Sequence, residues 1–271
     1  NKNGYVDYLE WTNFVTPQNP DTRVLFTRGL AGDTRFDIPA LSDKQIRQMD
    51  NILNRLSRLA VEANRLGVRL MIDAEHAQFQ PAIDQLTLDC QRKFNLERPI
   101  IFGTIQGYLR DSLGRVHVNI ERARREGWKL GFKLVRGAYM VHERKRAKHL
   151  GYKDPVHATL QDTHDSYNRI AELFLRNLGK GGELMVATHN STSVQLVTDW
   201  MEELNIPKDG PVYFGQLLGM CDDVSYTLGS LGYNVYKYVP YGPIDEVLPY
   251  LIRRMEENSD ALSGATRERK L

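Results

Sequence analysis

Apolar residues recur at two different spacings along the chain, and the change between them divides it. From Ser42 the spacing is helical. Ile46, Met49, Ile52, Leu53, Leu56, Leu59, Ala60, Ala63 and Leu66 share one face until Gly67. Ser42 and Gln45 fit a capping box at the start, and the glycine just past the last apolar residue is a stop signal. From Val68 onward, short continuous apolar runs alternate with helix-patterned stretches. The runs 68–72, 99–105, 130–135, 184–187, 212–214 and 235–239 read as strands covered on both faces. The stretches 80–94, 119–126, 163–177, 192–204, 222–231 and 244–258 read as helices, and the less regular 154–162 leaves room for one more strand. Residues 11–41 follow neither period. They carry Pro17, Pro20 and Pro39, and Val24, Leu25 and Phe26 suit one short strand.

Strand–helix alternation of this kind predicts an α/β fold with a parallel sheet. No G-x-G-x-x-G follows the first strand, which argues against a dinucleotide-binding half. Six clear strands with one or two doubtful ones predict a (β/α)8 barrel, with a doubly wound sheet as the alternative. The length of 271 residues and 41% hydrophobic content suit one such barrel, whose core needs no staples. Two cysteines, Cys90 and Cys221, make no disulfide framework and point to a reducing compartment. Thirty-six Lys and Arg against 34 Asp and Glu leave a net charge of +2. That balance gives no reason to expect nucleic acid or an anionic membrane. No apolar run approaches the roughly 18 residues of a membrane span, and no stretch has the pattern of a signal peptide. The expectation is a soluble domain with at most peripheral membrane contact.

The first ten residues fit most of a calcium loop. With Gly4 at position 6, Asn1, Asn3, Asp7 and Glu10 fall where an EF-hand supplies oxygen ligands. The position 1 ligand would precede Asn1. The segment is therefore expected to be an EF-hand remnant that holds no calcium as it stands, at the start of a sequence taken from within a longer chain. Residues 1–41 are read as this irregular N-terminal region and 42–271 as the barrel.

In a barrel the chemistry sits at the C-terminal ends of the strands. The first run ends in Asp73-Ala74-Glu75-His76, the second in Thr104-Ile105-Gln106, and the third in Arg136-Gly137-Ala138-Tyr139. The fourth ends in Thr188-His189-Asn190, the fifth in Gln216, and the sixth in Tyr238-Val239-Pro240-Tyr241-Gly242-Pro243. Asp73, Glu75 and His76 would suit a metal, but no second ligand cluster of matching spacing accompanies them in the sequence, so no metal is expected. Lys133 lies inside an apolar run. It needs a counter-ion, for which Asp73 is placed, or it serves as a Schiff-base lysine. On the last helix Tyr250, Arg253, Arg254 and Glu257 form one stripe, opposite Leu248, Leu251, Ile252 and Met255. The stripe is either a solvated face or, if the helix lies over the barrel mouth, a pair of guanidinium groups for a small carboxylate.

Taken in order, these motifs resemble the proline dehydrogenase family, most closely its mitochondrial eukaryotic form. The resemblance rests on Leu70 to Glu75, Lys133 to Tyr139, Ala187 to Asn190, Tyr213 to Met220, Tyr236 to Pro243 and Tyr250 to Asn258. It covers about 42–271, and the family's eukaryotic members also carry an EF-hand-like insertion. It implies a distorted (β/α)8 barrel with its last helix over the mouth, and FAD at the strand ends. Asp73 and Lys133 match its two active-site positions. Ala74, Gln106, Lys133, Arg136, Gly137, Ala138, Thr188, His189 and Glu257 match positions around the flavin. Leu217 and Tyr238 match residues that pack on the proline ring, and Arg253 and Arg254 match the pair that binds its carboxylate. The implied reaction is oxidation of L-proline to Δ1-pyrroline-5-carboxylate, with electrons passed to a quinone. The implied location is the matrix side of the mitochondrial inner membrane. The family's first strand ends in a lysine with no equivalent in residues 1–67, where the short apolar run ends in Thr27-Arg28. Hydroxyproline dehydrogenase is the neighbouring alternative, disfavoured by the bulk of Tyr238. A calcium-responsive binding module and a Schiff-base aldolase are the alternatives of other classes.

Overall fold

The computed structural model describes residues 6–14, 41–179 and 181–252. Helix α1 (Tyr8–Phe14) is followed by α2 (Asp43–Leu66), and strands then alternate with helices. The order is β1 (Leu70–Met71), α3 (Gln80–Phe94), β2 (Ile101–Gln106), α4 (Ser112–Glu126) and β3 (Gly131–Val135). Two helices come next, α5 (Met140–Leu150) and α6 (Leu160–Arg176). Then follow β4 (Glu183–Ala187), α7 (Ser191–Glu203), β5 (Val212–Leu217), α8 (Asp222–Ser230) and β6 (Asn234–Tyr238). Residues 244–252 are helical again.

Local chemistry sets the boundaries. Ser42 caps α2 through a reciprocal box with Gln45, and Gly67 closes it in the left-handed region at φ 70°. Thr159 and Asp162 form a second box at α6. Asp7 and Glu10 form a third at α1, each backbone N–H donating to the other's carboxylate at 3.0 Å. The same two side chains were the last two ligands of the expected calcium loop; residues 1–5 of that loop lie outside the described residues.

The six strands are all parallel and lie in the order β1-β2-β3-β4-β5-β6, curled into a half-barrel. Where the sequence led us to expect eight strands, six are present among the described residues. Val24, Leu25 and Phe26 lie outside them. The stretch 154–162 makes only an isolated antiparallel bridge, Leu109 to Val156, before Thr159 starts α6. Helix α4 begins seven residues earlier than the apolar pattern indicates, and α5 has no apolar stripe to announce it.

Register sorts the strand residues onto two faces. Ile105, Phe132, Leu134, Leu184, Val186, Val212 and Phe214 form the outer face. They pack with Val116 and Ala123 of α4, Tyr167, Ile170 and Phe174 of α6, and Val194, Val197 and Met201 of α7. Each fully buried side chain of this kind stabilises the fold by about 1.5–3 kcal/mol over its exposed state. The inner face carries Met71, Phe102, Met185 and Tyr213. At the N-terminal strand ends the lumen is plugged by a polar cluster. Arg69 donates to Glu183 at 2.5 Å and lies 4.3 Å over the Tyr213 ring.

Candidate active site

The inner face leads to the polar residues at the other end. Met71 pairs with Phe102, so by alternation Asp73 continues the same face. Thr104, Lys133 and Met185 are consecutive pairing partners across β2, β3 and β4. Lys133 is thus lumenal, and its ammonium donates to Asp73 Oδ1. Only 17% of the lysine side chain is exposed, against 65% of the aspartate. Within its strand Lys133 interrupts an otherwise apolar run because one face of that run lines the lumen. Thr104 Oγ1 donates to Ile72 O at 2.8 Å and fastens the end of β1 to β2. Gln106 is buried at the end of β2, with its amide 3.5 Å from Glu75 O, across the turn that contains Ala74.

Arg136 follows β3 and is held on every side. It donates to His164 Nδ1 at 2.9 Å, Thr188 Oγ1 at 2.6 Å and Ser193 Oγ at 2.9 Å, and lies 4.3 Å over the Tyr167 ring. Ser193 in turn donates to Asn168 at 2.6 Å. Among the described residues no carboxylate pairs with this guanidinium, and burial lowers its pKa. A half-buried cation held by neutral acceptors and a π face is prepared for an anion. His164 accepts from it, and burial followed by the Arg136 charge holds that imidazole below its usual range. Next to Arg136, Gly137 adopts φ +130°, and a Cβ there would overlap the buried Tyr108 ring. Ala138 is exposed.

Thr188 and His189 follow β4. Thr188 Oγ1 also accepts from Asn190 N at 3.0 Å. His189 Nε2 accepts from Leu217 N at 3.1 Å, and burial, then the Lys237 ammonium, keep it below the usual imidazole range. Leu217 and Tyr238 are pairing partners at the ends of β5 and β6. Tyr238 is half exposed, and its ring lies 5.6 Å from Tyr250, which sets residues 244–252 beside that end of the sheet. Arg253, Arg254 and Glu257 lie outside the described residues. Asp73, Gln106, Lys133, Leu217 and Tyr238 are therefore gathered on the inner face, with Ala74, Arg136, Gly137, Ala138, Thr188 and His189 in the strand-end loops around it.

Several participants escaped the sequence reading. His164 and Ser193 hold Arg136 from α6 and α7, 28 and 57 residues away, and Asn168 accepts from Ser193 behind them. Tyr139 and Glu75 were read at their strand ends, but not their contact, in which Tyr139 donates to Glu75 at 2.7 Å and links the β1 and β3 loops. The only local signal was the cap of α7, where Asn190 accepts from Ser193 N at 2.8 Å. A cavity of about 840 Å³ lies elsewhere, lined by α1, α3, α4, β2 and β3, and shares only Thr104 with the site described.

The inner face thus brings together a lysine–aspartate pair, an apolar wall and, at its rim, an arginine without a carboxylate partner among the described residues. The chain is 46% identical over 272 residues to human "Proline dehydrogenase 1, mitochondrial", covering 99% of this chain and 45% of that protein. It is 40% identical to the Drosophila melanogaster protein of the same name, covering 41% of it. Bovine "Hydroxyproline dehydrogenase" is 44% identical over 87% of the chain and 52% of its own length. The chain thus spans about half the length of the curated relatives it matches, or less. Among solved structures, that of proline utilization A (PutA) from Bdellovibrio bacteriovorus, inactivated by N-propargylglycine, aligns with a TM-score of 0.72 at 27% identity. The alignment covers 78% of this chain and 22% of that one. The proline dehydrogenase family profile matches residues 6–267, and the chain belongs to that family.

Proposed function

We propose that the protein oxidises L-proline to Δ1-pyrroline-5-carboxylate with FAD as its cofactor. The observation that carries this reading is the Lys133–Asp73 pair on the lumenal face, level with the apolar wall that ends in Leu217 and Tyr238. The residues fit the cofactor. Arg136 is a half-buried cation with neutral partners, suited to a pyrophosphate, and Gly137 leaves the adjoining backbone bare of side chain. Gln106, Ala74, Thr188, His189 and Ala138 would complete the surround, with Glu257 from the last helix.

When bound, FAD supplies the acceptor for a hydride. The chain's own part is orientation and charge. Lys133 is held by Asp73 rather than free to swing, so its positive charge is fixed where negative charge develops. Leu217 and Tyr238 offer an apolar face for the pyrrolidine ring. Arg253 and Arg254, carried over from the family's pattern, would grip the carboxylate in paired hydrogen bonds and disfavour an ammonium beside them. The substrate amine is then neutral when its C–H bond is presented. The phenol of Tyr238 leaves little room for a hydroxyl on the ring, which favours L-proline over hydroxyproline.

The proposal extends to a quinone as the final acceptor, reached by peripheral contact with a membrane. It extends also to a mitochondrial location, on the matrix side of the inner membrane. The names of the human, bovine and fly relatives support mitochondria. The test is the visible spectrum of the purified protein. Flavin bands that bleach when L-proline is added without oxygen, and more slowly with 4-hydroxyproline, are expected. A colourless protein, or bands indifferent to L-proline, would overturn the reading.

A further inference from the structure

We propose that His76, His142 and Glu143 form a binding site for one divalent cation of the zinc class, beside the candidate active site and separate from it. His76 lies in the connection after β1, and the other two residues lie in the first turn of α5. The sequence offers no second ligand cluster near His76, but the fold brings one to it across 66 positions.

The distances are close to those a metal requires. Glu143 Oε1 is 3.8 Å from His76 Nδ1 and 4.0 Å from His142 Nδ1. One ligand atom from each of the three residues lies within 4.8 Å of the others. Tetrahedral zinc, with bonds of about 2.0–2.2 Å, holds its ligand atoms about 3.4 Å apart. The two imidazole–carboxylate separations need to close by roughly half an ångström. His142 is exposed and free to make most of that adjustment. Two imidazoles with one carboxylate suit zinc-class ions rather than calcium or magnesium, which prefer all-oxygen shells. Three protein ligands also leave a fourth position for water.

The energetics point the same way. The Glu143 side chain is 0% exposed. Its Oε1 accepts from Ala77 N at 2.8 Å, while its Oε2 is buried with no hydrogen-bond partner among the described residues. Nδ1 of His76 is likewise buried with no hydrogen-bond partner among them. A buried carboxylate with half its acceptor capacity unused is costly, and so is an unpartnered imidazole nitrogen beside it. A cation between Glu143 Oε1 and His76 Nδ1 gives that nitrogen its partner, and chelation through both carboxylate oxygens would engage Oε2 as well. The His76 ring already packs against both neighbours, with centroids 4.1 Å from His142 and 4.0 Å from Tyr139. An ion here would clamp the β1 loop to the start of α5.

Isothermal titration of the chelator-treated full chain with zinc chloride tests the site without reference to proline oxidation. One ion per chain is expected. Binding should weaken at least tenfold in His142→Ala and in His76→Gln, and stay unchanged in His149→Ala, an exposed histidine of the same helix. Zinc should also raise the melting temperature of the unmodified chain and leave that of the H76Q/H142A double variant where it is. A chain that takes up no zinc, or one whose affinity is unchanged by both single substitutions, overturns the proposal.

Discussion

Gly137 offers the sharpest test of how the site is built. A methyl group there meets two obstacles. The backbone sits at φ +130°, a region that side chains with a Cβ rarely adopt, and forcing one into it costs about 1–3 kcal/mol. The added Cβ would also overlap Cδ1 and Cε1 of Tyr108 and stand 2.7 Å from Cγ. That ring is 3% exposed and has nowhere to turn, so overpacking adds about 1–3 kcal/mol more. Gly137→Ala should therefore destabilise the fold by about 2–6 kcal/mol, a fall in melting temperature of roughly 5–20 °C for a chain of this size. Gly127→Ala is the matched control. Gly127 is also left-handed, at φ +78°, but a Cβ there meets nothing within 4 Å, and about 1 kcal/mol is expected. Thermal melts of both variants followed by circular dichroism decide the matter. Equal shifts in the two would show that Tyr108 does not press on this turn, and the reasoning would fail.

Three further outcomes are expected. Lys133→Ala should slow the reduction of bound flavin by L-proline about 100-fold in stopped flow, and an unchanged rate would remove the lysine from its assigned part. Arg254→Met should raise the KM for proline by roughly two orders of magnitude with flavin still bound, whereas a normal KM would refute its hold on the carboxylate. Burial alone would raise the Glu126 carboxyl, but hydrogen bonds from Arg92, Trp128 and Asn13 outweigh it and hold the group at about 2. Its stabilising contribution is thus full above the ordinary carboxylate range near 4.5 and is lost as pH falls toward 2. Glu126→Gln should cost about 1 kcal/mol in urea melts at pH 7, and the gap from the unmodified chain should narrow with acid; a gap independent of pH would contradict this.

The sheet was legible because parallel strands covered on both faces leave unbroken apolar runs, and Lys133 was legible because it breaks one. Asp73 could be matched to it for the same reason, since both follow or interrupt strands at the same end. Helix α5 was not legible. Its residues His142 to Arg146 are all polar, and it buries Glu143 and Ala147, so no apolar stripe marks it. The partners of Arg136 were hidden for a different cause. His164 and Ser193 face it only because α6 and α7 pack side by side over the same sheet, and nothing local in either segment names a distant guanidinium. Glu143 shows the limit most clearly, because a charged residue in a charged stretch reads as solvated until the fold buries it.

The simple strand order has a kinetic meaning as well. Among the described residues every strand after β1 pairs with the one made just before it, so a chain emerging from a ribosome finds each partner already in place. The spans to be closed are short and similar, from 21 residues between Tyr213 and Asn234 to 52 between Lys133 and Met185. By loop-closure entropy the longest costs only about 0.8 kcal/mol more than the shortest. That longest span carries both α5 and α6, and while it closes, β3 waits with an open edge. Assembly is most vulnerable to a wrong partner at that moment, with Lys133 already placed and the wall opposite it not yet built.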